Sequence, residues 1–129
     1  MTHHSASGPI LICEDDAIVA LGLEMLLEEQ GLRLAPLATS ADEAVALAEA
    51  HRPALALVDV GLAAGSCGLA AGREMARRFG VPVIYLTGRA EPCETAEAEA
   101  WLVKPFEPRR LLDLVEAVLA RRGAARAAV

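Results

Sequence analysis

The sequence predicts an open α/β fold, a parallel sheet with helices on both faces. Three observations carry that expectation. Short apolar runs alternate with longer segments of helical spacing in the order βαβαβαβ(α)βα, which calls for parallel strands joined by right-handed crossovers. The runs 54–58 and 82–86 show little apolar–polar alternation, as expected of strands covered on both faces. The chain has 129 residues, 54% hydrophobic and 23% charged, which suits one packed domain rather than a disordered segment.

The elements follow in order. Residues 1–8 form a polar, flexible lead-in, and His3 and His4 read as a solvated terminus. The run 10–13 is a first strand, wholly apolar and therefore central. From Ala17 to Gln30 helical spacing recurs, with Ile18, Leu21, Met25 and Leu26 as the expected buried face and Glu24, Glu28 and Glu29 as the wet one. Asp16 is a cap for this helix and Gly31 a stop. Residues 32–38 make a weaker strand, and Pro36 puts it at an edge. Ser40 with Glu43 spells a capping box for a helix through His51.

The run 54–58 is a third strand, and it delivers Asp59. A glycine-rich loop, 61–68, leads into a helix over 69–79 that stops at Gly80. A fourth strand covers 82–86 and a fifth 100–103. The last helix begins at Pro108, a favoured first-turn residue, and lines up Leu111, Leu112, Val115, Val118 and Leu119. The expected layout is a flexible 1–8, a folded domain over 9–122 and a frayed 123–129. Between Thr87 and Trp101 the chain is acidic and offers only alanines to bury, so any helix there is short or irregular.

The totals exclude several classes. A formal net charge of −6 argues against nucleic acid as a direct partner. No apolar run approaches the length of a membrane span, and the first residues lack a signal pattern. Cys13, Cys67 and Cys93 have no metal-ligand spacing. Cys13 reads as a small buried hydrophobe, and this cysteine usage suits a reducing cytoplasm.

The chemistry lies at the ends of the apolar runs. Glu14 and Asp15 follow the first, Asp59 the third, Thr87 the fourth and Lys104 the fifth. In a parallel sheet all five meet at one edge, the edge at which such sheets bind ligands. Crowded carboxylates repel unless a cation sits among them, and Mg²⁺ takes one or two carboxylates together with waters and phosphate oxygens. Asp15 and Asp59 are the expected direct ligands, Glu14 acts through water, and the Gly61 carbonyl completes the set; Mn²⁺ is an alternative ion. Asp59 is the candidate nucleophile, since a carboxylate can attack a phosphoryl group to give an acyl phosphate. Lys104, the Thr87 hydroxyl and the Gly88 N–H are placed to hold the phosphoryl oxygens. Pro105 fixes the turn that aims Lys104 and allows a cis bond. Taken one at a time these residues read equally well as caps, loop residues and surface charges; the shared edge is what distinguishes them.

The segments Ile10-Leu-Ile-Cys-Glu-Asp-Asp16, Ala56-Leu-Val-Asp-Val60, Val83-Ile-Tyr-Leu-Thr-Gly88 and Trp101-Leu-Val-Lys-Pro-Phe106, in that order, resemble the receiver domain of two-component response regulators over nearly the whole chain. The resemblance implies a flavodoxin-like, five-stranded parallel sheet of order 2-1-3-4-5. It implies that Glu14 and Asp15 are the acidic pair, Asp59 the phosphoacceptor, Thr87 the switch hydroxyl and Lys104 the essential lysine. Trp101 falls where the family carries an aromatic whose rotamer follows phosphorylation. The donor would be a histidine kinase or a histidine phosphotransfer protein, and the only reactions self-phosphorylation and autodephosphorylation. The chain departs from the pattern in three places. Ala63 replaces a proline often found after the phosphoacceptor. Trp101 is bulkier than the usual tyrosine. The Thr87–Lys104 interval is short, so the fourth helix and the face it builds are altered.

No output domain is expected to follow this unit, so its action is expected through protein contacts with a downstream target, and the altered face is a candidate for homodimerisation. A non-enzymatic binding module of the same fold, using Trp101 and the acidic 91–99 segment, is the alternative. A phosphoaspartate hydrolase is disfavoured because residue 61 is glycine, not a second aspartate, and a cofactor binder because no phosphate-cradling loop follows the first strand.

Overall fold

The structure is a computed structural model and describes residues 8–62, 68–88 and 100–127. Four parallel strands, β1 (Ile10–Cys13), β2 (Leu55–Asp59), β3 (Val83–Thr87) and β4 (Ala100–Val103), form one sheet in the order β1-β2-β3-β4. Helices α1 (Ala17–Glu29) and α4 (Pro108–Ala127) cover one face, and α2 (Ala41–His51) and α3 (Gly68–Phe79) the other. Alternate strand residues feed the two layers. Ile10, Leu57, Ile84 and Leu102 pack with Leu23, Leu27, Leu111 and Val115, whereas Leu11, Val58 and Tyr85 pack with Ala44, Ala48, Ala71 and Met75. The small alanines of α2 and α3 bring that layer close to the sheet.

The expected five strands are four among the described residues. The segment 32–38 lies parallel to β1 but touches it through two isolated bridges, Leu34 to Ile10 and Ala38 to Cys13. The ladder starts regularly, with Ile10 N–H to Arg33 O at 2.8 Å and Ala35 N–H to Ile10 O at 2.9 Å. It then skips: Ala38, not Leu37, donates to Ile12 O at 3.0 Å. Pro36 sits in the skipped interval and has no N–H to offer. β1 is therefore the end of the regular four-stranded ladder, with this irregular segment bridged to its outer side.

The buried face of α1 is also not the expected one. Ala20, Leu23 and Leu27 are buried, whereas Ile18, Leu21 and Met25 are 83%, 55% and 53% exposed. Leu26 packs partly on the core, as expected. Apolar residues stand on nearly every side of this helix, so spacing does not choose a face. The last helix continues to Ala127, beyond the expected end at 122, through an alanine-rich stretch of high helix propensity. The predicted irregular helix between Thr87 and Trp101 falls outside the described residues.

Local signals act as their chemistry requires. Asp16 caps α1, its Oδ1 accepting from Ile18 and Val19 N–H at 2.9 and 3.2 Å. Ser40 Oγ accepts from Glu43 N–H at 3.2 Å, and Glu43 returns a bond to the Thr39 N–H at 2.6 Å, one residue earlier than a standard capping box. Gly31 and Gly80 follow α1 and α3 at φ 80° and 67°.

Candidate phosphoryl-transfer site

Register decides what meets at the carboxyl edge of the sheet. Cys13 pairs with Val58, so Glu14 and Asp15 leave β1 beside Asp59 at the end of β2. Asp59 pairs with Leu86, which brings Thr87 to the same edge. Thr87 pairs with Val103, and Lys104 N–H donates to Thr87 O at 2.7 Å, so the lysine starts from a fixed point. The Lys104–Pro105 bond is cis.

Glu14 and Asp59 are buried, and Thr87 is buried beside them. Carboxylate oxygens of Glu14, Asp15 and Asp59 lie within 4.8 Å of one another. Lys104 Nζ stands 3.2 Å from Asp59 Oδ1 and 3.5 Å from Glu14 Oε1. Asp59 Oδ1 also accepts the Gly61 N–H at 3.1 Å. Gly61 thus meets Asp59 through its amide. Glu14 Oε2 accepts the Asp16 N–H at 3.1 Å. Asp16 belongs to the helix cap, outside the acidic pair.

The electrostatics leave an imbalance. Burial first, and the neighbouring Asp59 second, push Glu14 up from 4.5 to about 7, against the opposing pull of the Asp16 N–H and of Lys104. Its Oε1 is buried and has no hydrogen-bond donor among the described residues; the Lys104 ammonium stands 3.5 Å from it. A buried carboxylate oxygen without a donor, in a triad of close carboxylates, fits a hard divalent cation. Glu14, Asp15 and Asp59 are the side chains that would hold one.

Two neighbours of the site were not singled out by sequence. Gly68 opens α3 against the end of β2, where a Cβ would collide with the Asp59 carbonyl. Tyr85, two residues before Thr87, is fully buried, and its hydroxyl donates to Leu69 O at 3.0 Å. The half-buried Trp101 stacks on it, ring centroids 4.7 Å apart and planes tilted by 31°. The only sequence signal for Tyr85 was a lone phenol in an aliphatic strand, which must find a partner when buried.

Residues 10–116 match the family described as the response regulator receiver domain. The chain belongs to that family. Among curated relatives, the receiver is 40% identical over 114 residues to the phyllosphere-induced regulator PhyR of Methylorubrum extorquens, covering 85% of this chain and 43% of that protein. It is 34% identical over 117 residues to the transcriptional regulatory protein PdtaR of Mycobacterium tuberculosis, covering 87% of this chain and 57% of the relative. The chain thus spans about half the length of these curated relatives. Among solved structures it is similar to PhyR from Brucella abortus, with TM-score 0.82 and 29% identity over 95% of this chain and 51% of that one. It is also similar to the receiver domain of the sensor histidine kinase PA1611 from Pseudomonas aeruginosa, a structure with a magnesium ion in its active-site cleft, with TM-score 0.79 and 30% identity over 89% of this chain and 99% of that one. The protein is a receiver-domain signalling protein whose acidic cluster suits Mg²⁺-dependent phosphoacceptance. Among the described residues no helix is long and apolar enough to cross a membrane.

Proposed function

We propose that Asp59 accepts a phosphoryl group from a phosphohistidine donor, a histidine kinase or a histidine phosphotransfer protein. The observation that carries the reading is the Lys104 ammonium 3.2 Å from Asp59 Oδ1, beside a carboxylate triad whose Glu14 and Asp59 are buried and whose Asp15 faces solvent. The Asp59 carboxylate attacks phosphorus, a P–O bond forms, the P–N bond to the donor imidazole breaks, and the bond's electron pair leaves with the imidazole. Lys104 balances charge on an equatorial oxygen, and the Thr87 hydroxyl and Gly88 N–H hold another. Gly88 is exposed, and a Cβ there would meet nothing within 4 Å, which is consistent with room for the group. Bound Mg²⁺, or Mn²⁺ in its place, would supply the remaining charge compensation, held by Asp15, Asp59 and the Gly61 carbonyl directly and by Glu14 through water.

The reading extends to the architecture and to the signal. The segment 32–38 serves as the edge strand of a five-stranded order 2-1-3-4-5. Thr87 and Trp101 respond to the acyl phosphate, and the change is read by a protein target or by a second copy of the chain. Catalysis is confined to the chain's own phosphorylation and to hydrolysis of the product. The buried free thiol of Cys13 suits work in the reducing cytoplasm. Phosphotransfer profiling against the host's histidine kinases tests the proposal. Transfer that is lost in Asp59→Asn supports it, and transfer unaffected by that substitution overturns the assignment of the nucleophile.

A further inference from the structure

One polar contact joins the sheet to α3 without belonging to the phosphoryl-transfer chemistry. The Tyr85 ring is fully buried on the α3 side of β3, and its hydroxyl bonds to Leu69 O, in the first turn of α3, at 3.0 Å. Gly72 makes this possible. A Cβ at that position would collide with the Tyr85 hydroxyl and ring, so the phenol and the bare glycine are complementary in shape. On its other flank Tyr85 carries the Trp101 indole at 4.7 Å.

The same helical turn rests on the phosphoacceptor. Gly68 precedes Leu69 and lies so close to Asp59 that a Cβ would strike the Asp59 carbonyl. A continuous packed path therefore runs from the Asp59 main chain through Gly68 and Leu69 to the Tyr85 hydroxyl, and from the Tyr85 ring to Trp101. It does not pass through the Thr87 hydroxyl.

We propose that Tyr85 is a positioning residue: its hydroxyl and ring fix Trp101 to the first turn of α3, so that the indole follows the state of Asp59 through α3 as well as through Thr87. The proposal rests on the reading of Asp59 as phosphoacceptor. Packed interiors shift between discrete arrangements rather than deforming smoothly. A movement of the first α3 turn against Asp59 therefore moves the phenol, and the stacked indole cannot keep its place when the phenol moves.

Trp101 is the one tryptophan of the 129 residues, so its fluorescence reports on this pair alone. The test uses the full chain with acetyl phosphate and Mg²⁺. Labelling is read by intact mass, and Trp101 by emission and by acrylamide quenching. Tyr85→Phe keeps the ring and removes only the hydroxyl. The expected result is unchanged labelling, a more quenchable Trp101 before labelling, and an emission response at equal labelling reduced about fivefold, the shift that loss of one neutral hydrogen bond gives a two-state packing. Gly72→Ala, whose methyl pushes on the ring, is expected to reduce the response in the same way wherever its circular dichroism is that of the parent; if it unfolds, Tyr85→Phe decides. Labelled Tyr85→Phe with parental quenching and a parental response would overturn the proposal. Absence of labelling in the parent chain would instead overturn the phosphoacceptor reading, and the coupling with it.

Discussion

Lys104 Nζ lies 3.2 Å from Asp59 Oδ1, the two residues reaching toward each other from strands β2 and β4 on either side of β3, on backbones held by the β-ladder. The lysine is therefore already in place to meet the charge on an oxygen of a phosphoryl group arriving at Asp59. Preorganised donors of this kind are worth about 10²–10³ in rate when removed. Lys104→Met is expected to slow acetyl phosphate labelling of Asp59 by about a hundredfold while the far-ultraviolet circular dichroism stays parental. A labelling rate within a factor of about three of the parent would remove Lys104 from the chemistry.

The raised position of Glu14 has a sign that can be measured. Between about 4.5 and about 7 the folded chain keeps a proton on Glu14 that the unfolded chain has released. The folded state then binds more protons, so this group's contribution to stability falls as pH rises through that window. In chelator, the urea midpoint of Glu14→Gln is expected to lose this component of the slope between about pH 5 and about pH 7.5. Identical slopes in parent and variant would show that Glu14 titrates normally.

A cation in the triad reverses that penalty. Ligand at a hundred times its dissociation constant stabilises a folded state by about 2.7 kcal/mol. Mg²⁺ is expected to raise the Tm of the parent chain near neutral pH, and to do so much less in Asp15→Asn. Asp15 is exposed, so the substitution itself should leave the metal-free Tm nearly unchanged.

Cys13 is buried in β1, and burial, followed by the nearby carboxylates, pushes its thiol up to about 12. Almost no thiolate exists at neutral pH, and the thiolate is the reactive form. In a Cys67→Ser, Cys93→Ser background, the folded chain should resist aromatic disulfide reagents and release one equivalent only in denaturant. Fast reaction of the folded chain would mean that β1 opens readily.

Ile18, Leu21 and Met25 form an exposed apolar stripe that starts beside the acidic site. We expect a protein donor that brings its phosphohistidine to Asp59 to come down over this stripe, whereas acetyl phosphate does not need it. Ile18→Asp is expected to slow transfer from a histidine kinase at least about tenfold, equivalent to about 1.4 kcal/mol, with acetyl phosphate labelling unchanged. Equal slowing with both donors would place the defect in the site rather than in docking.

The sequence made the site more legible than the packing around it. Glu14, Asp15, Asp59, Thr87 and Lys104 each terminate an apolar run, and parallel pairing brings strand ends together, so their meeting follows from topology. The exposed side of α1 was not legible because Ile18, Leu21 and Met25 repeat as regularly as Ala20, Leu23 and Leu27. Only the contact with β1 and α4 chooses between the two faces. The irregular pairing of 32–38 was half legible: Pro36 signalled an edge, but the skipped residue depends on where the ladder to Ile12 resumes. The match between Tyr85 and Gly72 joins separate elements and leaves no periodic trace in the sequence.

The chain leaves Asp59 and returns to it. On the way out, the Gly61 amide is fastened to the Asp59 carboxylate at 3.1 Å; on the way back, Gly68 rests on the Asp59 carbonyl. Asp59 is thus held by its carboxylate at one margin of the intervening stretch and packed by its main chain at the other. A side chain at position 68 is the change this arrangement cannot absorb.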